Sequence, residues 1–449
     1  MKDKKYDKKV FWLLAIIVGL TCMGYLTTYP EALPLYQRRL FTVSYTSFSL
    51  WFNGAFVFLC IIVSINELNR YRMNGLISNL ILFDLNLFYF FPGFLMNAIF
   101  ETEIKFACYY AFYWLFLSVF GYIMQYFCKK TPLIVRVGES KFTWFYNHGI
   151  AIFFSIAILL VSLVYSDFSI SISSLFNASE VLEKRAASAE LNIHWLIWFP
   201  ILCGSMILPI WFTRAYKEKN IWQMILIAIS MCAMYSIGAN RVFLFMFFFA
   251  VVISVCKDDD LLIVKGLIVV LALVCIEYYL KNGYPVMNIV RRILVTPNGE
   301  SRFYVDFFTN NNPDWCRQLL ERWLAPMGLA SHYSQRIPAM IGNVYLGGSN
   351  CNTGLIGYSI ANYGMSGLII GPFLYTFSFM LLNRIMSKIQ YKKMLQTTAV
   401  IITLEITNSF GWAEYLVLPS FLLLFYILMF LMPEDEEICR GIEDAAGDG

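Results

Sequence analysis

MKDKKYDKKVFWLLAIIVGLTCMGYLTT, residues 1–28, places five lysines in its first nine positions and then runs nineteen residues without a charge. A basic head before an apolar run also opens a secretory leader. Here no small-residue cleavage site follows and further apolar runs do, so the stretch reads as a first transmembrane helix with its lysines in the cytoplasm. Similar runs recur at 47–65, 76–96, 104–127, 147–165, 193–212, 221–238, 242–256, 261–279, 353–382, 395–411 and 414–432. Each lies near the roughly 20 residues that cross a bilayer as helix. With 59% hydrophobic and 14% charged residues and a mean hydropathy of +0.61, the chain cannot easily build a polar surface. The runs are long and none alternates over ten residues, which favours a helical bundle over a barrel. The expected fold is therefore all-α: a polytopic bundle of about 12 spans forming one integral membrane domain over 1–432, then an acidic cytoplasmic tail over 433–449.

Charge placement tests that topology, because short cytoplasmic connections carry excess Lys and Arg. The connections placed inside hold Arg70 and Arg72; Lys129, Lys130, Arg136 and Lys141; Arg214, Lys217 and Lys219; and Arg384, Lys388, Lys392 and Lys393. The short outside connections hold only Arg38, Arg39, Lys105 and Arg241. Two long segments, 166–192 and 281–352, then face outward. The 11 cysteines are scattered without a CxxC pair and read as small buried hydrophobes.

The second outer segment is the chemically informative one. It carries seven basic residues, Lys281, Arg291, Arg292, Arg302, Arg317, Arg322 and Arg336, against Glu300, Asp306, Asp314 and Glu321. VMNIVRRIL (286–294) reads as an amphipathic helix ending before Pro297. DWCRQLLERWL (314–324), with Asn312 as cap and Pro313 at the first helical position, reads as another, and both are expected on the outer membrane surface. Guanidinium forks bind phosphate oxygens bidentately and stay charged, so Arg241, Arg291, Arg292 and Arg302 together suggest a phosphate receptor. Each also has a plainer reading, as headgroup contact or snorkelling. Glu300 and Asp306 stand beside Arg302 as candidate bases, or as solvated loop acids. His332 is a candidate base or sugar donor, or an ordinary loop histidine. Lys184 and Arg185 lie in a short helix of the first outer segment. Asp84 and Glu405 are acids inside spans. GLIGYSIANYGMSGLIIG (354–371) has small residues at helical spacing and reads chiefly as a packing seam. There is no Walker loop, HExxH or zinc spacing in the sequence, so neither ATP hydrolysis nor metal-peptidase chemistry is expected.

RRILVTPNGESRFYVDFFTNN (291–311), followed after some forty residues by NCNTGLIGYSIANYGMSGLIIG (350–371), resembles the large outer loop and following span of Wzy-type oligosaccharide repeat-unit polymerases, the O-antigen polymerases. The matching features are Arg291 or Arg292 before Pro297, the paired Phe307 and Phe308, the motif Asn352, Thr353 and Gly354, and the Gly-Ala-Asn-Arg turn ending in Arg241. An Arg followed at eleven positions by Gly, found in some members, occurs at Arg317 and Gly328 and at Arg336 and Gly347, but not after Arg185. The resemblance implies a GT-C-like architecture in a bacterial inner (cytoplasmic) membrane with the active site facing the periplasm or cell exterior. It also implies a glycosyltransferase that moves a growing chain from undecaprenyl diphosphate to a new lipid-linked repeat unit, without cofactor or metal. On that reading Arg241, Arg291, Arg292, Arg302 and His332 serve catalysis and Arg185, Glu300, Asp306 and Asn352 bind substrate. A chain-length regulator and a flippase join lipid-linked donor and acceptor as partners; nucleic acid does not. An O-antigen ligase, with the same donor but lipid A core as acceptor, is the nearest alternative, and a lipid-linked saccharide flippase the next.

Overall fold

The computed structural model describes residues 46–100, 102–127, 145–166, 195–238, 241–256, 262–281, 285–318, 327–348, 350–386 and 391–408. The expected first and last spans, Arg185 and the acidic tail lie outside them. The described chain is helical, and five helices are long and apolar enough to cross a membrane. They are α1 (Ser47–Asn74), α2 (Ile77–Ile99), α3 (Ile104–Tyr126), α4 (preceded by a π turn, together Asn147–Ser166) and the segment Leu355–Ile385. Further helices are α5 (Trp195–Lys217), α6 (Ile221–Gly238), α7 (Arg241–Val255) and α8 (Leu262–Leu280). Next come α9 (Pro285–Val290), α10 (Thr296–Asn310) and α11 (Ile337–Tyr345). The segment Leu355–Ile385 is divided into α12 (Leu355–Tyr363) and α13 (Gly367–Ile385), and α14 (Lys392–Asn408) follows.

The chain forms two compact units. One comprises Met1–Phe127, Asp258–Phe379 and Ala399–Glu414; the other comprises Cys128–Lys257, Met380–Thr398 and Tyr415–Gly449. In the second, α4 to α7 pack side by side, with hydroxyls pairing across the apolar interface: Ser162 with Ser236 at 3.0 Å, and Ser230 with the Ser155 carbonyl at 3.3 Å. Such contacts hold helices together where lipid removes the hydrophobic drive for association. Lys393 Nζ donates to the Ser254 and Cys256 carbonyls at 2.8 and 2.7 Å, closing the C-terminal end of α7 with a cation of the sign its dipole favours.

The first unit is built around α2. This helix is enclosed along nearly all its length, whereas α1 beside it exposes Trp51 and Phe58, as a helix against lipid would. A π turn at Asn86–Phe90 precedes Pro92 in α2, and a second at Arg291–Val295 precedes Pro297 at the start of α10. In each case the wider turn admits a proline without ending the helix. The two π turns pack together. The Tyr89 carbonyl takes hydrogen bonds from Tyr110 Oη and Asn298 Nδ2, both at 3.0 Å. Gly93 lets these elements meet: a Cβ there would lie 2.0 Å from Tyr110 Oη and 2.6 Å from Asn298 Oδ1.

Segment 281–352 therefore departs from its expected form. Pro297 does not end a surface helix; α9, the π turn and α10 continue through it, and α10 buries Asn298, Glu300, Ser301, Tyr304 and Phe308 in the unit. No helix starts at Pro313 either. Trp315 and Cys316 adopt left-handed backbone with φ of 56° and 58°, and residues 315–318 form a turn. Backbone N–H groups of Asp314 and Trp315 reach the Ala361 and Asn362 carbonyls at the end of α12, at 2.8 and 2.9 Å. Those carbonyls have no helical partner because the helix breaks at Gly364, where φ is +61°. The expected span over 353–382 corresponds to the apolar segment Leu355–Ile385, broken at Gly364 into two helices, and Gly367 packs directly on the Ser359 backbone of α12.

Candidate functional site

Within the first unit the two halves of the motif pair, separated by about fifty positions, close on each other. Glu277 of α8 accepts from the Val286 and Met287 N–H groups at 2.7 and 2.8 Å, capping α9 with a carboxylate and setting the direction in which the π turn presents Arg291 and Arg292. From the other side, the strap 351–354 lies over α10. Tyr304 Oη donates to the Cys351 carbonyl at 2.5 Å, and Thr353 Oγ1 donates to the Pro297 carbonyl at 2.8 Å. Gly354 N–H reaches the Thr407 carbonyl of α14 at 3.3 Å, tying the strap to the rest of the unit.

Under the strap sits Glu300, 1% exposed. One oxygen, Oε1, meets Arg292 Nη1 at 3.5 Å. The partners are placed unequally: the Arg292 side chain is 37% exposed and that of Glu300 2%. Burial pushes the Glu300 carboxyl up to about 7, although Arg292, the Cys351 thiol and the Asn352 backbone N–H all pull it down. Desolvation wins because the acid is dry while its cation remains partly in solvent, where attraction is screened. Nearby, Arg302 Nη2 donates to Asn97 Oδ1 at 3.2 Å and its guanidinium lies 5.8 Å from the centre of the Phe106 ring. Burial lowers Arg302 to about 10, which leaves it charged near neutrality.

The predicted site residues thus separate. Arg292, Glu300 and the backbone of Asn352 are in one place, with Arg302 two positions further along the same helix. Arg291 is buried at 8% exposure, so the expected outward arginine pair is one inward and one outward side chain. Asp306 is exposed and accepts from Tyr345 Oη at 2.6 Å, with Phe303 stacked on that Tyr345 ring; it is not part of the Glu300 corner. His332 is exposed and its Nε2 receives a hydrogen bond from Arg317, with no contact to Arg292 or Glu300. The backbone of Arg241 opens α7 in the second unit, and its side chain lies outside the described residues. Asp84 is enclosed in α2, with no hydrogen-bond partner for either carboxylate oxygen among the described residues.

Sequence reasoning missed Tyr304, Asn298, Asn97 and Glu277. Asn97 is a polar residue in an apolar span, which was a usable signal. Glu277, an acid inside the apolar run 261–279, carried the same signal, while Tyr304 and Asn298 sit in a mixed segment where no period distinguishes an inward polar residue from an outward one. No family model, no curated protein and no solved structure matches the chain.

Proposed function

We propose that this multi-pass protein polymerises undecaprenyl-diphosphate-linked oligosaccharide repeat units on the outer face of a bacterial inner membrane. The observation that carries the reading is the closure of 351–354 over α10, which puts the arginine motif and the Asn-Thr-Gly motif into one site. Transfer from a lipid diphosphate needs no activation by nucleotide. As the glycosidic bond breaks, the leaving diphosphate gains negative charge, and a preorganised guanidinium stabilises that charge where it develops. Arg292 has the position for it, with one edge on Glu300 and the rest of its fork partly in solvent. Arg302 adds a second positive charge on the same helix.

Deletion and reconstitution test the reading. A strain lacking the protein is expected to make, export and ligate single repeat units, and the purified protein to extend synthetic lipid-linked units without nucleotide. Long chains retained on undecaprenyl diphosphate in the deletion strain would assign a ligase instead, and single units trapped on the cytoplasmic face a flippase. Cysteines placed at the exposed Asn311 and Gln335 are expected to react with an impermeant reagent in intact spheroplasts. Reaction only after lysis would reverse the orientation.

A further inference from the structure

An ion pair between one buried and one half-exposed partner is a poor structural device. The acid bears nearly the whole desolvation penalty, and the attraction that should offset it is screened on the cation's side. In this chain the contact is also single and long, Arg292 Nη1 to Glu300 Oε1 at 3.5 Å, not the bidentate pairing a guanidinium can make. Among the described residues Glu300 Oε2 makes no well-formed hydrogen bond, the Cys351 thiol and the Asn352 N–H acting on the carboxyl from beyond ideal geometry, and it is sealed from solvent. The acid is held in place by its helix and by the strap, since Cys351 Sγ lies 3.9 Å from the Glu300 carbonyl and Tyr304 fixes the Cys351 carbonyl above it. A carboxyl locked beside a half-exposed cation is a competitor for that cation.

We propose that Glu300 acts as a proton-operated clasp on Arg292: ionised, it occupies one edge of the guanidinium, and protonated, it releases that edge to an incoming oxyanion of the diphosphate class. Where Glu300 is ionised before binding, capture takes one proton from solvent, forming the neutral carboxyl, and the proton returns when the anion leaves; where Glu300 is already neutral, no proton is exchanged. Glu300 is thus a positioning residue acting through Arg292. The elements around Glu300 bring Tyr89 from the first π turn, Arg291 and Arg292 from the second, Arg302, Tyr304 and Asp306 on α10 itself, Tyr345 on α11, Cys351 on the strap, and Tyr358 and Tyr363 on α12; Phe91–Ile99 brings none. Arg292 and Cys351 act on Glu300, and Glu300 in turn acts on Tyr304. Burial holds both Tyr304 and Cys351 above their ordinary values, so they stay neutral while Glu300, at about 7, titrates.

The proposal rests on the polymerase reading only for the identity of the anion, and its test separates the two. Sulfate, whose charge is constant near neutrality, is titrated into the full-length protein in neutral detergent. Because only the neutral-Glu300 fraction is competent, the apparent Kd is expected to weaken about ten-fold between about pH 6 and pH 8. Glu300→Gln is expected to flatten that profile at the tight, low-pH value. Infrared difference spectra are expected to show a protonated carboxyl band appearing when sulfate is added to the wild type above neutrality. A flat wild-type profile, an unchanged slope in Glu300→Gln, or no carboxyl band would each overturn the clasp. The wild-type titration and the infrared readout decide the matter even if the variant does not fold. The second arm repeats the titration with farnesyl diphosphate and with phosphatidylglycerol in mixed micelles. A pH-dependent response to farnesyl diphosphate alone supports the diphosphate class. The same response to phosphatidylglycerol would leave the clasp standing and overturn the choice of a lipid-linked diphosphate as its anion.

Discussion

Two acids on one helix, six positions apart, have opposite fates. Glu300 is enclosed under the strap beside a half-exposed arginine, and Asp306 faces outward with a tyrosine hydroxyl on it. Both belong to the same basic segment, and both have an arginine nearby in the sequence. The difference is desolvation: the Glu300 carboxyl is pushed up to about 7, while the outward acid stays where water and Tyr345 can reach it. Position on the helix face, more than local charge, selects which of the two acids is desolvated.

The contrast can be broken most directly at the cations. Arg292→Ala is expected to lower repeat-unit polymerisation on the order of 10²-fold, the usual cost of deleting one preorganised donor to a developing anion. Arg292→Lys, which keeps charge and loses the fork, should fall between that variant and wild type. Truncating the exposed His332 should change the rate by less than about two-fold. Equal losses at Arg292 and His332, scored at matched protein level by polymer length on gels, would erase the distinction between corner and edge.

Next in size is the pH dependence of stability. Glu300 has its folded value raised from 4.5 to about 7, so folding favours the neutral acid. The group costs nothing below about pH 4.5, its cost grows as pH rises toward 7, and above 7 it levels on the order of 3 kcal/mol. Wild type should therefore lose ground to Glu300→Gln between those limits in thermal unfolding scans, and the difference should then stay constant. A difference that shrank with rising pH would show that the carboxylate is net favourable where it sits.

Smaller effects separate the strap from the exposed edge. Thr353→Val removes the hydroxyl bonded to the Pro297 carbonyl and is expected to cost about 1–2 kcal/mol, since it strands a buried acceptor. Tyr345→Phe, which loses the bond to the exposed Asp306, is expected to cost under about 1 kcal/mol by the same measurement. Reversal of that order would mean that the strap is not what encloses the site.

Hydropathy and length alone determined that this chain is helical and membrane-spanning, because twenty apolar residues admit few other structures in lipid. The apolar runs at 47–65, 76–96, 104–127 and 147–165 correspond to α1 to α4 within a few residues at most ends. The same sequence drew attention to 291–354, since arginines in a mixed segment are conspicuous. It did not separate Arg291 from Arg292 or Glu300 from Asp306. Their separation depends on a π turn that shifts the helical phase before Pro297, on Gly93 admitting Asn298 and Tyr110, and on a strap arriving from fifty residues away. A π turn has no residue signature, and long-range closure has no period. Which carboxyl ends up dry was therefore decided by tertiary packing.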